Sequence, residues 1–278
     1  MRIAISNIAW DVAEDESVAA LLHKFGVDAI DVAPGKYFPD PEHASDADIA
    51  RVRDQWKAHG IELTGMQSLL FGTSGLNLFG SSAARSAMLH RLAAVARIGG
   101  KLGATRLVFG SPRNRDRGAL DDREVTEIAV PFFRELGDIA HGHGVTFCLE
   151  PNPVCYGANF MTTSAETVNM VRLVAHPAIR MQFDTGSLAI NGEDPADVLE
   201  HNADLIGHVH ASEPQLVPLG DGTTDHAAMA AQLATHLPGH VVSIEMVAKA
   251  NEPHLPAIQR ALATAQRWYR QAPGVPLA

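Results

Sequence analysis

VTFCLEPNPVCYGANF, residues 145–160, decides how the rest of the chain is read. Val145, Thr146, Phe147, Cys148 and Leu149 have strand character and run into Glu150, after which Pro151, Asn152 and Pro153 forbid continuation of the strand. A carboxylate is thereby delivered to a strand end. If that strand is covered on both faces, an ionised Glu150 needs a partner, because an unpaired buried charge is costly and shifts its pKa to avoid charging. One such glutamate is ordinarily a surface or salt-bridged residue. Recurrence changes the reading: IRMQFD ends on Asp184, LIGHVH on His210 and HVVSIE on Glu245. Each of these runs ends on a side chain able to ligate a metal.

Working outward, short Val/Ile-rich runs alternate with longer segments of helical periodicity, the pattern of repeated βα units and a parallel sheet. Strands are expected at Arg2–Ile8, Val27–Val32, Ile61–Ser68, Thr105–Phe109, Val145–Glu150, Ile179–Phe183, in a seventh run through His208 and His210, and at Val241–Glu245. Helices are expected between them. One starts after Ser45 as N-cap, and another runs from Asp121 to His143 with Pro131 as a kink or a division into two. The last runs from about Glu252 to Arg270, and residues 271–278 form a loosely held tail. The spacings from Glu150 to Asp184, Asp184 to His210 and His210 to Glu245 are 34, 26 and 35 residues, about one unit each. Eight units of about 30 residues make a single α/β domain, a (β/α)8 TIM barrel over residues 1–278, in which functional groups gather at the C-terminal ends of the strands. A doubly wound open sheet is the competing architecture, but its glycine-rich turn after the first strand is missing.

The 278 residues carry a formal net charge of -10, which speaks against a broad phosphate-binding surface for nucleic acid. No apolar run approaches the roughly 18 residues needed to span a bilayer, and MRIAISNIAW reads as a first strand rather than a signal peptide. A cytoplasmic protein without membrane partners is expected. The two cysteines, Cys148 and Cys155, give neither a disulfide framework nor a zinc-finger spacing. Two further stretches stand out. LLFGTSGLNLFG after the third strand is too apolar and glycine-rich for a solvated linker and suits a lid over a pocket. GSPRNRDRG after the fourth places Arg113, Arg115 and Arg117 where they could clamp a phosphate or carboxylate. His208 shares a strand face with His210 and is read as a satisfied core histidine.

Two glutamates, one aspartate and one histidine form an oxygen-rich donor set that suits Mn²⁺, with Mg²⁺, Co²⁺ and Zn²⁺ as alternatives. LEPNP around Glu150, QFDTG around Asp184, HVHASEP around His210 and SIEM around Glu245 resemble the sugar phosphate isomerase/epimerase superfamily of xylose-isomerase-like TIM barrels, over nearly the whole chain. That superfamily includes ketose 3-epimerases, hydroxypyruvate isomerases and inosose dehydratases. The resemblance implies that Glu150, Asp184, His210 and Glu245 bind a divalent cation, that Glu150 and Glu245 also act as acid and base, and that barrels pair as homodimers. It implies an isomerase or epimerase acting on a small sugar or sugar phosphate through a metal-stabilised enediolate. A sugar or inosose dehydratase and a non-catalytic sugar-binding barrel are the alternatives.

The chain departs from the ketose 3-epimerase pattern at three substrate positions. Ser187 stands where that branch has a histidine three residues after the metal aspartate, Tyr156 where it has a glutamate six after the first metal glutamate, and Leu216 where it has an arginine six after the metal histidine. Asn152, Glu213, His226, Arg113 and Arg115 are the candidates to substitute as substrate contacts, together with Tyr156 and Ser187 themselves.

Overall fold

The computed structural model describes residues 1–270; the expected tail at 271–278 lies outside the described residues. Eight strands form one closed parallel barrel in sequence order, β1 (Arg2–Ser6), β2 (Ala29–Val32), β3 (Glu62–Met66), β4 (Arg106–Phe109), β5 (Thr146–Leu149), β6 (Ile179–Asp184), β7 (Ile206–Ser212) and β8 (Val241–Glu245). Pairing of β1 with β8 closes the ring, with Arg2 opposite Val241 and Ile5 opposite Ile244. The barrel removes every sheet edge, and the outward faces of the strands are covered by helices.

The helices form where apolar periodicity and caps coincide. Ser45 caps helix Asp46–Ala58 through its side chain, which buries Ile49, Val52 and Trp56. Ser81 and Asp121 do the same for Ser82–Leu102 and Asp122–Gly142, the latter through a reciprocal capping box with Glu124. Pro131 lies inside this last helix without dividing it. Its ring stands on the exposed face, while Val125, Ala129, Phe132, Phe133, Leu136 and Ala140 bury the other. That burial outweighs the roughly 3 kcal/mol that an interior proline costs. Phe133 packs edge-on to Phe109 of β4 at 5.6 Å between centroids, so the helix is keyed into the barrel wall.

Several boundaries differ from the sequence expectation. β1 stops at Ser6 and a 3₁₀ turn, Asn7–Ala9, follows, with Ser6 accepting the Ile8 N–H. β5 ends at Leu149, so Glu150 stands one residue beyond the strand, although its N–H still donates to Phe109 O at 3.1 Å. A short helix, Thr185–Asn191, follows β6 directly and is absent from the sequence reading. The final helix spans His254–Trp268. Among the described residues, no helix is long and apolar enough to cross a membrane.

Candidate metal centre

Glu150 follows β5, Asp184 ends β6, His210 lies two residues before the end of β7, and Glu245 ends β8. The register sets Asp184 beside His210 on the β6/β7 pair and Ser212 beside Glu245 on the β7/β8 pair. The four side chains therefore converge at the C-terminal mouth, each offering a ligand atom within 4.8 Å of the others. His210 Nδ1 is the hub. It stands 3.2 Å from Glu245 Oε2, 3.6 Å from Glu150 Oε1 and 3.9 Å from Asp184 Oδ2.

Each carboxylate is held from behind. Asp184 Oδ1 accepts the Ser187 N–H at 2.6 Å, which makes Asp184 the N-cap of the short helix after β6, and both its oxygens accept from Ser212 Oγ. Glu150 Oε2 accepts from Asn152 Nδ2 at 3.0 Å, and Glu245 Oε1 accepts from Gln67 Nε2 at 2.6 Å. Gly110 packs so tightly on Glu150 that a Cβ there would collide with Oε2. A glycine at that point lets the β4 loop reach the carboxylate.

The electrostatics fit a cation. Burial, followed by the charges of Glu245 and Glu150, pushes the Asp184 carboxyl up to about 7. Against its own burial, the His210 imidazole is raised well above its ordinary range by Glu245 and Glu150. Three carboxylates sharing one small volume, Asp184 and Glu245 buried and Glu150 partly so, demand positive charge. Hard oxygen donors with one imidazole match a divalent ion, and Glu150, Asp184, His210 and Glu245 are the residues that could hold it.

Two cavities flank the cluster and share Glu150 and Glu245 as walls. One, of about 240 Å³, is lined by Gln67, Leu69, Phe71, Val108 and Ser111 among others. The other, of about 450 Å³, is lined by Pro112, Asn152, Tyr156, Ser187, Glu213 and Leu216 among others. Asn152, Tyr156 and Ser187 are thus brought to the site. The Tyr156 hydroxyl accepts the Gln215 N–H at 2.7 Å, leaving its ring as the wall.

The remaining candidates are placed differently. Both ring nitrogens of His226 are engaged, Nε2 with Glu213 Oε1 at 3.0 Å and Nδ1 with the Tyr269 hydroxyl at 2.7 Å, so His226 belongs to the packing behind the β7 loop and not to the mouth. Glu213 is buried, and its oxygens accept the N–H groups of Gly220 and Thr224 as well, so they fasten the loop rather than face a ligand. The arginines do not converge. Arg113 is exposed, Arg115 is 1% exposed with no hydrogen-bond partner for its guanidinium and with Glu150 as the charge that acts on it, and Arg117 turns back to Leu120 O and Asp122. Arg113–Arg115 is a single 3₁₀ turn, on which residues two apart point in different directions. The stretch read as a lid lies over the first cavity, with Phe71 84% exposed, and is pinned to the β4 loop by Leu78 N–H on Asn114 O and Asn114 Nδ2 on Leu76 O.

Sequence reading missed Gln67 and Ser212. Gln67 follows β3, where the strand-end pattern that singled out the four acidic and imidazole side chains also applies, but an amide is not a metal ligand of choice. Ser212 lies two residues beyond His210, past the end of the LIGHVH run.

A closed parallel barrel with an acid-rich cluster around one imidazole at its C-terminal mouth defines a (β/α)8 barrel with a candidate metal site. The chain belongs to the xylose isomerase-like TIM barrel family, whose model matches residues 19–272. Among solved structures it is similar to D-psicose 3-epimerase with D-tagatose from Clostridium cellulolyticum H10, at 20% identity and a TM-score of 0.81 over 97% of this chain and 99% of that one. It is similar also to 3-keto-D-glucoside 4-epimerase, YcjR, from E. coli, at 19% identity, TM-score 0.78, and 97% and 99% coverage. The IolI protein with a binding zinc atom is a third, at 18% identity, TM-score 0.75, and 97% and 98% coverage. At these identities the likeness is one of fold. No curated protein sequence matches the chain.

Proposed function

We propose that the chain is a divalent-cation-dependent isomerase of sugars, an epimerase or aldose-ketose isomerase, in which Glu150 and Glu245 transfer the proton. The observation that carries this reading is the pair itself: two glutamates, one just after β5 and one ending β8, each with one oxygen at the cluster and the other held by an amide. Family membership and the sugar epimerases among the similar folds support it. Bound by Glu150, Asp184, His210 and Glu245, a divalent ion, Mn²⁺ by the donor set, would polarise a sugar carbonyl and stabilise the negative charge left by deprotonation of the neighbouring carbon.

Glu150 and Glu245 stand on either side of His210, so one takes a proton from carbon and the other returns one. Return to the opposite face of the same carbon gives epimerisation, and return to the adjacent carbon gives isomerisation. Asn152 and Gln67 hold the two carboxylates in place for this exchange. The Ser187 hydroxyl, without a protein partner among the described residues, is available to a substrate oxygen, and the Tyr156 ring supplies an apolar wall. Because Arg113, Arg115 and Arg117 do not converge, an unphosphorylated sugar is favoured over a sugar phosphate.

The experiment is incubation of Mn²⁺-loaded protein in D₂O with a panel of free and phosphorylated ketoses, followed by NMR. Deuterium entering the carbon next to the carbonyl is the expected result, and its position separates epimerase from isomerase. Loss of water from the substrate would replace this reading with a dehydratase, and ligand binding with no label anywhere would replace it with a sugar-binding barrel.

A further inference from the structure

Directly beneath the cluster, inside the barrel, lies a second set of buried polar groups that proton transfer does not use. Asp31 of β2 is 1% exposed and His208 of β7 is 3% exposed, and His208 Nε2 donates to Asp31 Oδ2 at 2.7 Å. β2 and β7 are not neighbours in the ring, so this bond crosses the barrel interior. Asp31 Oδ1 accepts from Thr64 Oγ1 at 2.9 Å. Space for the carboxylate comes from Gly65, where a Cβ would lie 2.7 Å from Asp31 Oδ1. The His208 ring packs edge-on to His210 at 5.2 Å, and one oxygen of Asp31 and one ring nitrogen of each histidine lie within 4.8 Å of one another.

His210 has an asymmetric surrounding. Nδ1 faces the three carboxylates of the cluster, while Nε2 is buried with no hydrogen-bond partner in the protein among the described residues. A neutral imidazole that offers the Nδ1 lone pair to a cation carries its proton on Nε2, and a buried N–H facing no acceptor or charge is costly. Histidine ligands ordinarily address that second N–H to a carboxylate, carbonyl or water. Gln182 works in the other direction, since its amide oxygen accepts from His210 Nδ1 and so favours a proton there until a cation takes its place. In the orientation that satisfies its amide, its oxygen stands 3.2 Å from His210 Nδ1, on the wrong side of the ring.

We propose that Asp31, fixed by His208 and Thr64, is the positioning residue for His210, its negative charge behind the ring favouring the tautomer that leaves Nδ1 free for a divalent cation. This rests on reading the four-residue cluster as a cation centre. Asp31 touches neither substrate nor cation in this account. Its effect on the site passes through the His210 ring alone.

The test is calorimetric titration of chelator-stripped protein with Mn²⁺, alongside ¹⁵N NMR of the His210 ring in Zn²⁺-loaded protein, for the wild type, Asp31→Asn and His208→Leu. The expected result for Asp31→Asn is folded protein by circular dichroism with Mn²⁺ affinity reduced roughly 10- to 100-fold. The His210 Nε2 signal, of the protonated type in wild-type protein, should also change. His208→Leu removes the partner that fixes Asp31 and should weaken Mn²⁺ in the same direction, which keeps the inference testable if Asp31→Asn does not fold. Wild-type affinity and an unchanged ¹⁵N signature in both folded variants would overturn it while leaving the cation centre in place. Failure of the wild type to bind Mn²⁺ or Zn²⁺ would overturn the cation centre and this inference together.

Discussion

Glu150 and Glu245 are matched across His210. Each turns one carboxylate oxygen toward Nδ1, at 3.6 and 3.2 Å, while the other accepts from a side-chain amide, Asn152 at 3.0 Å and Gln67 at 2.6 Å. An amide donor orients a carboxylate without adding charge to it. The pair therefore keeps its aim in either protonation state, the ionised carboxylate taking a proton from carbon and the protonated one returning a proton to it.

Gln67→Leu removes the donor that aims Glu245 and nothing else that touches the cluster. Deuterium exchange into the sugar that the wild type labels fastest should fall by roughly 10²-fold, the cost of a misplaced catalytic group. Wild-type exchange in folded Gln67→Leu would show that Glu245 needs no such support.

Gly110→Ala places a methyl group against Glu150 Oε2. The carboxylate must move, so Mn²⁺ affinity should drop by roughly tenfold or more in calorimetry. The thermal midpoint should change little, since Gly110 does not occupy a left-handed backbone conformation.

Acid sensitivity should trace partly to Glu213. Burial opposes its charge, yet hydrogen bonds from His226, Thr224 and the Gly220 N–H hold the carboxyl down to about 2, against an ordinary 4.5. A pKa lowered by folding contributes stability that is complete above pH 4.5 and is lost as pH falls toward about 2. Urea midpoints taken at intervals through that window should fall less steeply for Glu213→Gln than for the wild type, from a lower starting value at neutral pH.

Phe133→Ala tests the packing of helix on barrel. The ring is fully buried between Phe109 and Phe132, and its truncation should cost about 3–5 kcal/mol in denaturant unfolding.

The barrel and the four cluster residues are legible in the sequence because a strand end is marked twice, once where an apolar run stops and again where a breaker or polar group begins. Glu150 before Pro151 is the clearest case. Asp31 is harder to read. It lies within the four-residue strand Ala29–Val32, and only the ring closure that brings β2 across from β7 reveals its partner His208. The arginine loop misleads for a different reason. Proximity in sequence suggests a shared target, whereas Arg113 is exposed, Arg117 is drawn to Asp122, and only the buried Arg115 is turned inward, where the Glu150 charge acts on it. His226 is a polar residue near a site-bearing loop, and nothing in its spacing shows that Tyr269, far along the chain, occupies its second nitrogen.

The central claim is that Glu150, Asp184, His210 and Glu245 form one cation centre, and calorimetric titration of chelator-stripped protein with Mn²⁺ tests it most directly. The account predicts one tight site per chain, lost or severely weakened in Glu150→Gln and in Asp184→Asn. The absence of a stoichiometric site, or a site whose affinity neither substitution changes, would contradict it.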